Sequence, residues 1–360
     1  MAEWTQRLLD WFAQYQRWMP WRDEPQPYWT WLSEVMLQQT QVETVIPYFK
    51  RFVEAFPTVE ALAKADQQDV LKLWEGLGYY SRARNLHKAA KVVVEQYGGA
   101  LPQDADALQK IPGFGPYTSA AVSSIAFGRP VPVVDGNVLR VFCRFWGIED
   151  DIRQPHVKTE LQARLEPFIK DAPPSSAFNQ AIMELGALVC RPKFPHCASC
   201  PLGPDCVALR DHRTADLPVK SKRKPVPHYP VAVGVIWKAG KVLIGRRRQD
   251  QMLGGLWEFP GGKQLSEEPL TETLRRKIET ETGLQVRIDS PYCQVSHGFT
   301  HFKITVTAFR CEWQSGTEQP MATDELRWVT LDELDRFPLP KAAIKVAEAV
   351  RNYERMQGNA

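Results

Sequence analysis

Residues 104–128 read DADALQKIPGFGPYTSAAVSSIAFG, and this stretch predicts a helix, a tight hairpin and a second helix. Gly113 and Gly115 supply the turn with two residues that tolerate backbone conformations in which other residues would be strained. The backbone N–H groups after the turn lie at the start of a helix, where they can hold a phosphate. The stretch therefore indicates a helical fold with a phosphate-binding turn.

The rest of residues 1–215 has the same helical character. Aromatic and apolar residues recur at i, i+4, i+7, i+11 and i+14, which predicts one apolar face of an opening helix: Trp4, Leu8, Trp11, Tyr15 and Trp18. Prolines and glycine pairs punctuate further helical stretches, and alternating strand patterns are scarce. We therefore predict an all-α region over residues 1–215.

A glutamate among glutamines stands out in WLSEVMLQQTQVETVIPYF, residues 31–49. A helix over 32–49 would place four side chains on one face, at i, i+3, i+4 and i+7: Glu34, Leu37, Gln38 and Gln41. Glutamine amides can hydrogen-bond bases and fill the gap left by an extruded nucleotide. Apolar neighbours would raise the pKa of Glu34 and keep a proton on it near neutral pH. The alternative is that Glu34 lies on a solvated helix face.

Four cysteines are crowded near the end of the helical region. Cys190, Cys197, Cys200 and Cys206 are separated by six, two and five residues, a spacing that can surround one tetrahedral metal or one cubane cluster. Structural zinc is the alternative, although zinc sites usually have two close cysteine pairs and here only one pair is close. The loop's neighbours Arg191, Lys193 and His196 could face phosphates.

Composition narrows the class of protein. The chain has 360 residues, 44% hydrophobic and 24% charged, which suggests two or three domains and excludes a disordered or fibrous chain. No run approaches the ~18 apolar residues of a membrane span, and the N-terminus is unlike a signal peptide. A net charge of +3 is too small to name a partner. Seven cysteines, an odd number, favour a reducing compartment over a disulfide framework.

A change of character follows residue 215. The sequence DLPVKSKRKPVPHYP at 216–230 holds four prolines and four Lys or Arg residues, and we assign 216–228 as a basic, proline-rich linker. Beyond it, VAVGVIW, KVLIG and FKITVTAFRCEW predict strands. Helices are expected over 266–281 and 340–355. Residues 229–360 are therefore predicted to form an α+β domain.

Several motifs together resemble MutY-type adenine DNA glycosylases. They are PWR at 20–22, SEVMLQQTQV at 33–42, GLGYYSRARNLHKAA at 76–90 and FNQAIMELGALVC at 178–190. The turn at 104–127 is similar to the helix-hairpin-helix of this superfamily, and the cysteine spacing to the 4Fe–4S loop at 190–206 of the endonuclease III group. The resemblance implies a multidomain protein: an all-α core built on a six-helix barrel, an iron–sulfur loop and a C-terminal domain. It implies excision of adenine opposite 8-oxoguanine or guanine during base excision repair.

The resemblance also implies roles for individual residues. Glu34 would be the general acid and Asp135, twenty residues after Gly115, would stabilise a cation. Asp135 could also be a helix N-cap, and the two roles are compatible because a capping carboxylate is held ionised. Tyr117 stands where bifunctional relatives have the lysine that forms a Schiff base, which implies a monofunctional enzyme leaving an abasic site. By the same resemblance, six further residues would line the pocket or contact the adenine or the duplex: Asn137, Trp21, Arg22, Leu37, Gln39 and Tyr79.

The C-terminal domain resembles the Nudix family, to which MutT belongs. Within WEFPGGKQLSEEPLTETLRRKIETETGL at 257–284, the matching positions of the Nudix box are Gly262, Glu268, Arg276, Ile278, Glu281, Gly283 and Leu284. Lys277 and Thr280 replace two metal-binding glutamates, and the lysine ammonium would repel Mg²⁺, so diphosphate hydrolysis should be lost. In MutY proteins this domain senses 8-oxoguanine through a Phe-Ser-His loop. Here Phe299, Thr300 and His301 take those places; a strand-edge histidine is the alternative for His301.

Three rival functions follow from the same residues. They are a thymine or uracil mismatch glycosylase, a Nudix hydrolase with a helical DNA-binding appendage, and a non-catalytic iron–sulfur DNA-binding protein. Lys277 counts against the second, and the presence of both Glu34 and Asp135 counts against the third. We expect a monomer that binds double-stranded DNA, carries a 4Fe–4S cluster, has no membrane partner and acts in the bacterial cytoplasm, associated with the nucleoid.

Overall fold

The computed structural model describes residues 1–23, 25–172, 174–221, 225–265 and 267–358. The chain divides into two compact units, and each is built from two pieces of sequence. The first unit contains Met1–Lys64 and Asn85–Arg223, and the second contains Ala65–Arg84 and Lys224–Ala360. The predicted linker at 216–228 falls at this division, and its residues 222–224 lie outside the described residues.

Helices account for the regular structure before residue 211, with short 3₁₀ turns at Cys197–Ser199 and Gly203–Asp205. The helices are α1 (Glu3–Tyr15), α2 (Pro20–Asp23), α3 (Pro27–Leu37), α4 (Val42–Ala55), α5 (Val59–Lys64), α6 (Gln67–Leu73), α7 (Ser81–Tyr97), α8 (Ala105–Gln109), α9 (Pro116–Phe127), α10 (Gly136–Trp146), α11 (Pro155–Asp171), α12 (Ser175–Leu188) and α13 (Val207–Arg210). No strand occurs among the described residues before His228, so the predicted all-α character is confirmed.

Local sequence signals set the ends of the two helices nearest the hairpin. Helix α9 begins with Pro116, whose missing N–H would be unpaired there in any case, and ends at Gly128, which has a left-handed φ of 66°. Helix α10 begins after the N-cap Asp135 and ends at Gly147, with a φ of 68°. These signals are local, which is why the sequence predicted this region well.

The core of the first unit joins α1 to α10 and α12. Its large side chains include Trp4, Leu8, Phe12, Phe142 and Phe178. Tyr15 and Trp18, predicted on the same apolar face, are 56% and 59% exposed. That part of the prediction is wrong: Tyr15 is the last residue of α1, and the extended residue Gln16 takes Trp18 out of the helical register.

The C-terminal part of the second unit is a sheet with two helices. Its elements are β1 (His228–Lys238), β2 (Lys241–Arg247), β3 (Trp257–Glu258), β4 (Gly261–Lys263), α14 (Leu270–Thr282), β5 (Gln285–Gly298), β6 (Lys303–Ser315), β7 (Thr323–Val329) and α15 (Lys341–Met356). The order is β3-β2-β1-β6-β5, with β4 paired to β1 and β7 to β2; β1 and β6 are parallel. Helix α14 starts later than predicted because Pro269 is its N-cap.

The two helices cover opposite faces of the sheet. Alternate residues of β1 separate accordingly: Ala232 and Ile236 pack with α14, whereas Val235 packs with α15. Gly234 lies on the α14 side, where a Cβ would come within 2.8 Å of Ile278 Cδ1. Glycine is therefore required here for the helix to approach the sheet this closely.

Residues 65–84 are grouped with the C-terminal part, although the sequence suggested one helical region through residue 215. Gln68 accepts a 2.8 Å hydrogen bond from Trp257 Nε1, and the Tyr80 hydroxyl donates to the Leu339 carbonyl at 3.1 Å. These bonds join distant parts of the sequence, so local patterns carry no sign of them.

Among the described residues, no helix is both long and apolar enough to cross a membrane.

Candidate active site

A cavity of about 770 Å³ in the helical unit is lined by all four predicted catalytic residues and by four of the predicted substrate contacts. These eight residues are Trp21, Arg22, Glu34, Leu37, Gln41, Tyr117, Asp135 and Asn137. They come from α2, α3, α9 and α10 and from the turns beside these helices. Such a cavity is large enough for a nucleotide-sized ligand.

Glu34 projects from the buried helix α3 into this cavity and is 6% exposed. The Tyr117 hydroxyl donates a 2.7 Å hydrogen bond to Glu34 Oε2. Burial raises the pKa of Glu34 to about 7; the Tyr117 hydrogen bond and the Arg22 charge oppose the rise, while the Asp135 charge adds to it. Glu34 can therefore hold a proton near neutral pH, and the solvated alternative is excluded.

Asp135 is a helix N-cap that also faces the cavity. Its Oδ1 accepts from the backbone N–H groups of Asn137 and Val138 at 2.8 and 2.7 Å, and its Oδ2 accepts from Asn137 Nδ2 at 3.0 Å. Burial raises the pKa of Asp135 above its usual range, while these bonds act in the opposite direction. The capping bonds fix the carboxylate in place, so its structural role supports a role at the cavity.

Arg140 extends this network toward the cysteine loop and was missed at the sequence level. Its Nη2 donates to Asn137 Oδ1 and to the Gly186 carbonyl, both at 2.7 Å, and its Nε donates to the Cys190 carbonyl at 2.7 Å. The guanidinium thus orients the Asn137 amide that contacts Asp135. The spacing of three residues from Asn137 on a helix was the available signal.

Glu184, on α12, is a second residue that sequence reasoning missed. Its side chain is 2% exposed and lines the cavity. Arg17 Nε donates to it at 2.7 Å and Arg22 Nη2 at 3.2 Å, while Gln180 Oε1 accepts from Arg22 Nε at 2.8 Å. Burial alone would raise the pKa of Glu184, but the two arginines hold it below its usual range. It is an ionised acceptor on the cavity wall.

Trp21 forms another part of the wall. It is 7% exposed and packs edge-on against Phe49, with ring centroids 5.1 Å apart. Its fixed position makes one side of the cavity apolar.

The continuous helix predicted over 32–49 is wrong. Helix α3 ends at Leu37, and α4 begins at Val42 after the N-cap Gln41. Gln39 has a φ of 57°, in the left-handed region, which breaks the helix. Gln38 Nε2 donates to Thr118 Oγ1 at 3.1 Å, so one glutamine binds the protein while Gln39 is exposed.

The hairpin needs only one of its two glycines for conformational reasons. Gly113 has a φ of 84°, and a Cβ there would lie 2.8 Å from Asn85 Cβ. Gly115 is extended, with a φ of −78°, and a Cβ there would meet nothing within 4 Å. The expectation that both glycines relieve strain is therefore wrong for Gly115, which is the N-cap of α9.

The four clustered cysteines line one small cavity, together with apolar residues and Arg144. All four are free thiols, so the cluster is not a disulfide framework. Among the described residues, no group of three or more His, Cys, Asp or Glu side chains is placed to hold a metal ion.

The predicted recognition residues line a separate cavity, of about 600 Å³, within the second unit. Tyr79 is 46% exposed, and its hydroxyl lies 3.3 Å from Thr300 Oγ1. Phe299 and His301 line the same cavity. Tyr79 has a φ of 49°, a left-handed conformation rare for a non-glycine residue.

Two carboxylates of the Nudix box are paired with basic side chains. Lys277 Nζ donates to Glu281 Oε1 at 3.2 Å, so the ammonium pairs with a carboxylate that the motif would use for Mg²⁺. Glu268 is held at 2.6 Å by Arg276 Nη2. The matching residues therefore have a structural role in this arrangement.

Comparisons with known proteins agree with this geometry. Residues 32–167 match the helix-hairpin-helix GPD superfamily of base excision DNA repair proteins, and residues 232–349 match the NUDIX domain. The adenine DNA glycosylase of Homo sapiens is 34% identical over 398 residues, covering 94% of this chain and 72% of the human protein. That of Buchnera aphidicola subsp. Schizaphis graminum is 30% identical over 348 residues, covering 96% and 97%.

A solved thermostable thymine-DNA glycosylase aligns with a TM-score of 0.52 and 26% identity, over 57% of this chain and 95% of that one. The fold and the cavity thus define a helix-hairpin-helix DNA glycosylase that also carries a Nudix domain. More narrowly, the chain belongs to the adenine DNA glycosylase family of base excision repair enzymes.

Proposed function

We propose that this enzyme removes adenine paired with 8-oxoguanine or guanine in double-stranded DNA, by hydrolysis, leaving an abasic site. The observation that carries the proposal is the pair of carboxyl groups in one cavity: Glu34, whose pKa burial raises to about 7, and the capped Asp135. Glu34 can hold a proton at neutral pH, while hydrogen-bond donors fix the Asp135 carboxylate in place.

The chemistry follows from these two environments. Glu34 donates its proton to N7 of an extruded adenine, and the C1′–N9 bond then breaks with its electron pair leaving on the base. The sugar becomes an oxocarbenium ion, which the Asp135 carboxylate stabilises electrostatically. Water adds to C1′ and gives its proton to the Glu34 carboxylate, which restores the acid. One general acid contributes typically about 10²–10⁴-fold to the rate.

The cavity wall offers partners for the edge of adenine. Adenine has an exocyclic amine that donates and ring nitrogens that accept. Glu184 supplies an ionised acceptor, and Arg22 supplies donors held in place by Gln180 and Glu184. Trp21 provides a fixed apolar surface. This combination supports recognition of a purine with an amine.

A purely hydrolytic reaction is supported by what surrounds Glu34. No lysine is among the described residues that line the cavity, so no amine is at hand to form an imine with C1′. Tyr117 instead donates a hydrogen bond to Glu34. We infer that the enzyme lacks strand-cleaving lyase activity.

The four cysteines fit a 4Fe–4S cluster better than zinc. Their side chains line one cavity, and only one pair of them is close in sequence, whereas structural zinc sites usually have two close pairs. A cubane is larger than an ion and takes four thiolates, one at each corner iron. Cys190, Cys197, Cys200 and Cys206 would hold it, and the bound cluster would fix the fold of the loop.

We further propose that the second unit recognises 8-oxoguanine through the recognition loop, Phe299–His301. The Tyr79 hydroxyl beside Thr300 places one residue of the 76–90 motif next to this loop. Gln39 and Tyr79, both exposed with left-handed backbones, are the residues that we expect to enter the duplex. The enzyme would act as a monomer in the bacterial cytoplasm, and sedimentation with and without DNA tests its oligomeric state.

Base release under single-turnover conditions tests the proposal. Four duplexes are compared: A opposite 8-oxoguanine, A opposite G, A opposite T, and T opposite G. We expect adenine release from the first two, fastest opposite 8-oxoguanine, and no adduct after borohydride treatment. Thymine release, or a trapped imine, would instead favour a different glycosylase chemistry.

A further inference from the structure

Phe194 lies in the loop that contains the four cysteines, and its aromatic side chain is exposed to solvent. At 88% exposure it is the most exposed of the large hydrophobic side chains among the described residues. Its φ is 52°, in the left-handed region that non-glycine residues rarely adopt. Pro195 follows it, and a residue before proline favours an extended backbone. Phe194 therefore combines an unfavourable conformation with an unfavourable exposure.

The surrounding loop holds this conformation in place. Arg144 is 2% exposed, and its Nη1 and Nη2 donate to the carbonyls of Arg191 and Pro192 at 2.7 and 3.1 Å. On the other side of Phe194, the His196 N–H donates to the Val189 carbonyl at 2.9 Å. Buried anchors on both sides thus fix the tip of the loop. Strain that is held this firmly is characteristic of functional positions.

The position and charge of the cysteine loop favour DNA as the partner of Phe194. Arg191 and Pro192 line the cavity that holds Glu34, so the chain runs from the cavity wall to Phe194 in two residues. Lys193 and His196 are exposed beside it, and residues 190–199 contain no acidic residue. This charge complements phosphates, and the exposed ring complements the apolar faces of sugars and bases.

We propose that Phe194 is an apolar contact to the duplex, packing on the sugar and base edges next to the nucleotide whose adenine enters the cavity. The inference rests on the proposed function, because it takes DNA as the occupant of the loop. Lys193 and Arg191 contact phosphates, while Phe194 packs in the groove beside them. Phe194 acts through binding and positioning, and it touches none of the reacting atoms.

The test uses Phe194→Asn in the full, cluster-loaded chain. Asparagine tolerates a left-handed backbone better than most residues and removes the ring. We expect the Kd for the A opposite 8-oxoguanine duplex to rise roughly 5-fold or more, on the scale of aromatic contacts to nucleic acids. Single-turnover excision is measured at subsaturating and at saturating enzyme, and the loss should be larger at subsaturating enzyme. The iron content should equal that of the parent, and the thermal midpoint should be no lower, because asparagine tolerates the left-handed backbone.

Three matched variants distinguish loss of the aromatic contact from loss of charge and from a folding defect. Phe194→Tyr keeps the ring and should restore the parent Kd. Lys193→Ala should flatten the dependence of log Kd on log salt by about 0.9 for one lost phosphate contact, whereas Phe194→Asn should leave that slope unchanged. Met356→Ala, a side chain 86% exposed on α15, should change neither quantity.

Two results would overturn the inference: a Kd for Phe194→Asn equal to the parent's, or a loss of affinity that Phe194→Tyr shares. Equal duplex binding would also be the outcome if Phe194 served a protein partner. Failure of the proposed function is distinguishable, because then the parent itself would release no adenine.

Discussion

At the scale of single residues, the buried carboxyl of Glu34 controls the dependence of catalysis on pH. A general acid must be protonated, and burial raises the pKa of Glu34 to about 7. We therefore predict that single-turnover adenine excision falls as pH rises through about 7. Tyr117→Phe removes a hydrogen bond that lowers this pKa, so the alkaline limb should move to higher pH.

Tyr28→Phe is the matched control for that shift. Tyr28 is also a buried tyrosine, but its hydroxyl donates to the Phe56 carbonyl at 2.9 Å, away from Glu34. The pH midpoint of adenine excision by Tyr28→Phe should equal that of the parent. An unchanged midpoint in Tyr117→Phe would mean that the phenol does not tune the acid.

Burial of Glu34 also lowers the stability of the folded protein when the carboxyl group ionises. Its pKa is raised on folding from 4.5 to about 7, so its ionisation destabilises the folded state progressively as pH rises between these values. Glu34→Gln removes the charge and should stabilise the protein at pH 8 by up to about 3 kcal/mol, with a much smaller effect at pH 5. Thermal unfolding at both pH values measures this; a difference independent of pH would contradict it.

At the scale of elements, the two glycines of the hairpin provide a matched pair. Gly113→Ala places a Cβ 2.8 Å from Asn85 Cβ at a φ of 84°, and we expect a loss of about 1–2 kcal/mol in unfolding free energy together with weaker duplex binding. Gly115→Ala meets open space at an extended backbone and should be nearly neutral. Denaturant unfolding and duplex titration report both. Equal losses would show that the left-handed turn is unimportant.

The cysteine loop offers a second test at this scale. Cys197→Ser should lose iron and weaken duplex binding, because folding of the loop depends on the cluster. Cys293→Ser, a cysteine on β5 outside the loop, should keep both. Iron and sulfide are measured per chain. Stoichiometric zinc without iron in the parent would exclude the cluster.

Local signals explain which elements the sequence predicts. The hairpin and α10 are marked by Pro116, Gly128 and Asp135, whose preferences act over a few residues. The break after Leu37 was missed because a left-handed Gln39 has no compositional signal. Glu184 was missed because its partner Arg17 lies 167 residues away, and a lone glutamate on a helix gives no sign of such a pair.

At the scale of the whole molecule, residues 65–84 belong to the same compact unit as the C-terminal domain. The sequence could not predict this, since the hydrogen bonds that join them span up to 265 positions. A truncation near residue 225 would therefore remove the partners of this segment as well as the recognition loop. Substitutions in the full chain are the cleaner way to separate recognition from excision.

We predict that Thr300→Ala with His301→Ala reduces discrimination between 8-oxoguanine and guanine opposite adenine. One or two lost hydrogen bonds correspond to roughly 5- to 150-fold. His228→Ala is the control, since His228 contacts Thr305 rather than the recognition loop. Single-turnover excision and binding are measured on both duplexes at one salt concentration, because phosphate contacts alone shift affinity with salt. Unchanged discrimination would mean that the second unit does not recognise 8-oxoguanine through this loop.

The most direct test of the central claim is single-turnover adenine release from a duplex with A opposite 8-oxoguanine, by the parent and by Glu34→Gln, with the Kd of each measured on the same duplex. If Glu34 is the proton donor, the parent releases adenine, whereas Glu34→Gln binds with a similar Kd and loses at least about 10²-fold in rate. Release by Glu34→Gln within tenfold of the parent would contradict the assignment of the acid.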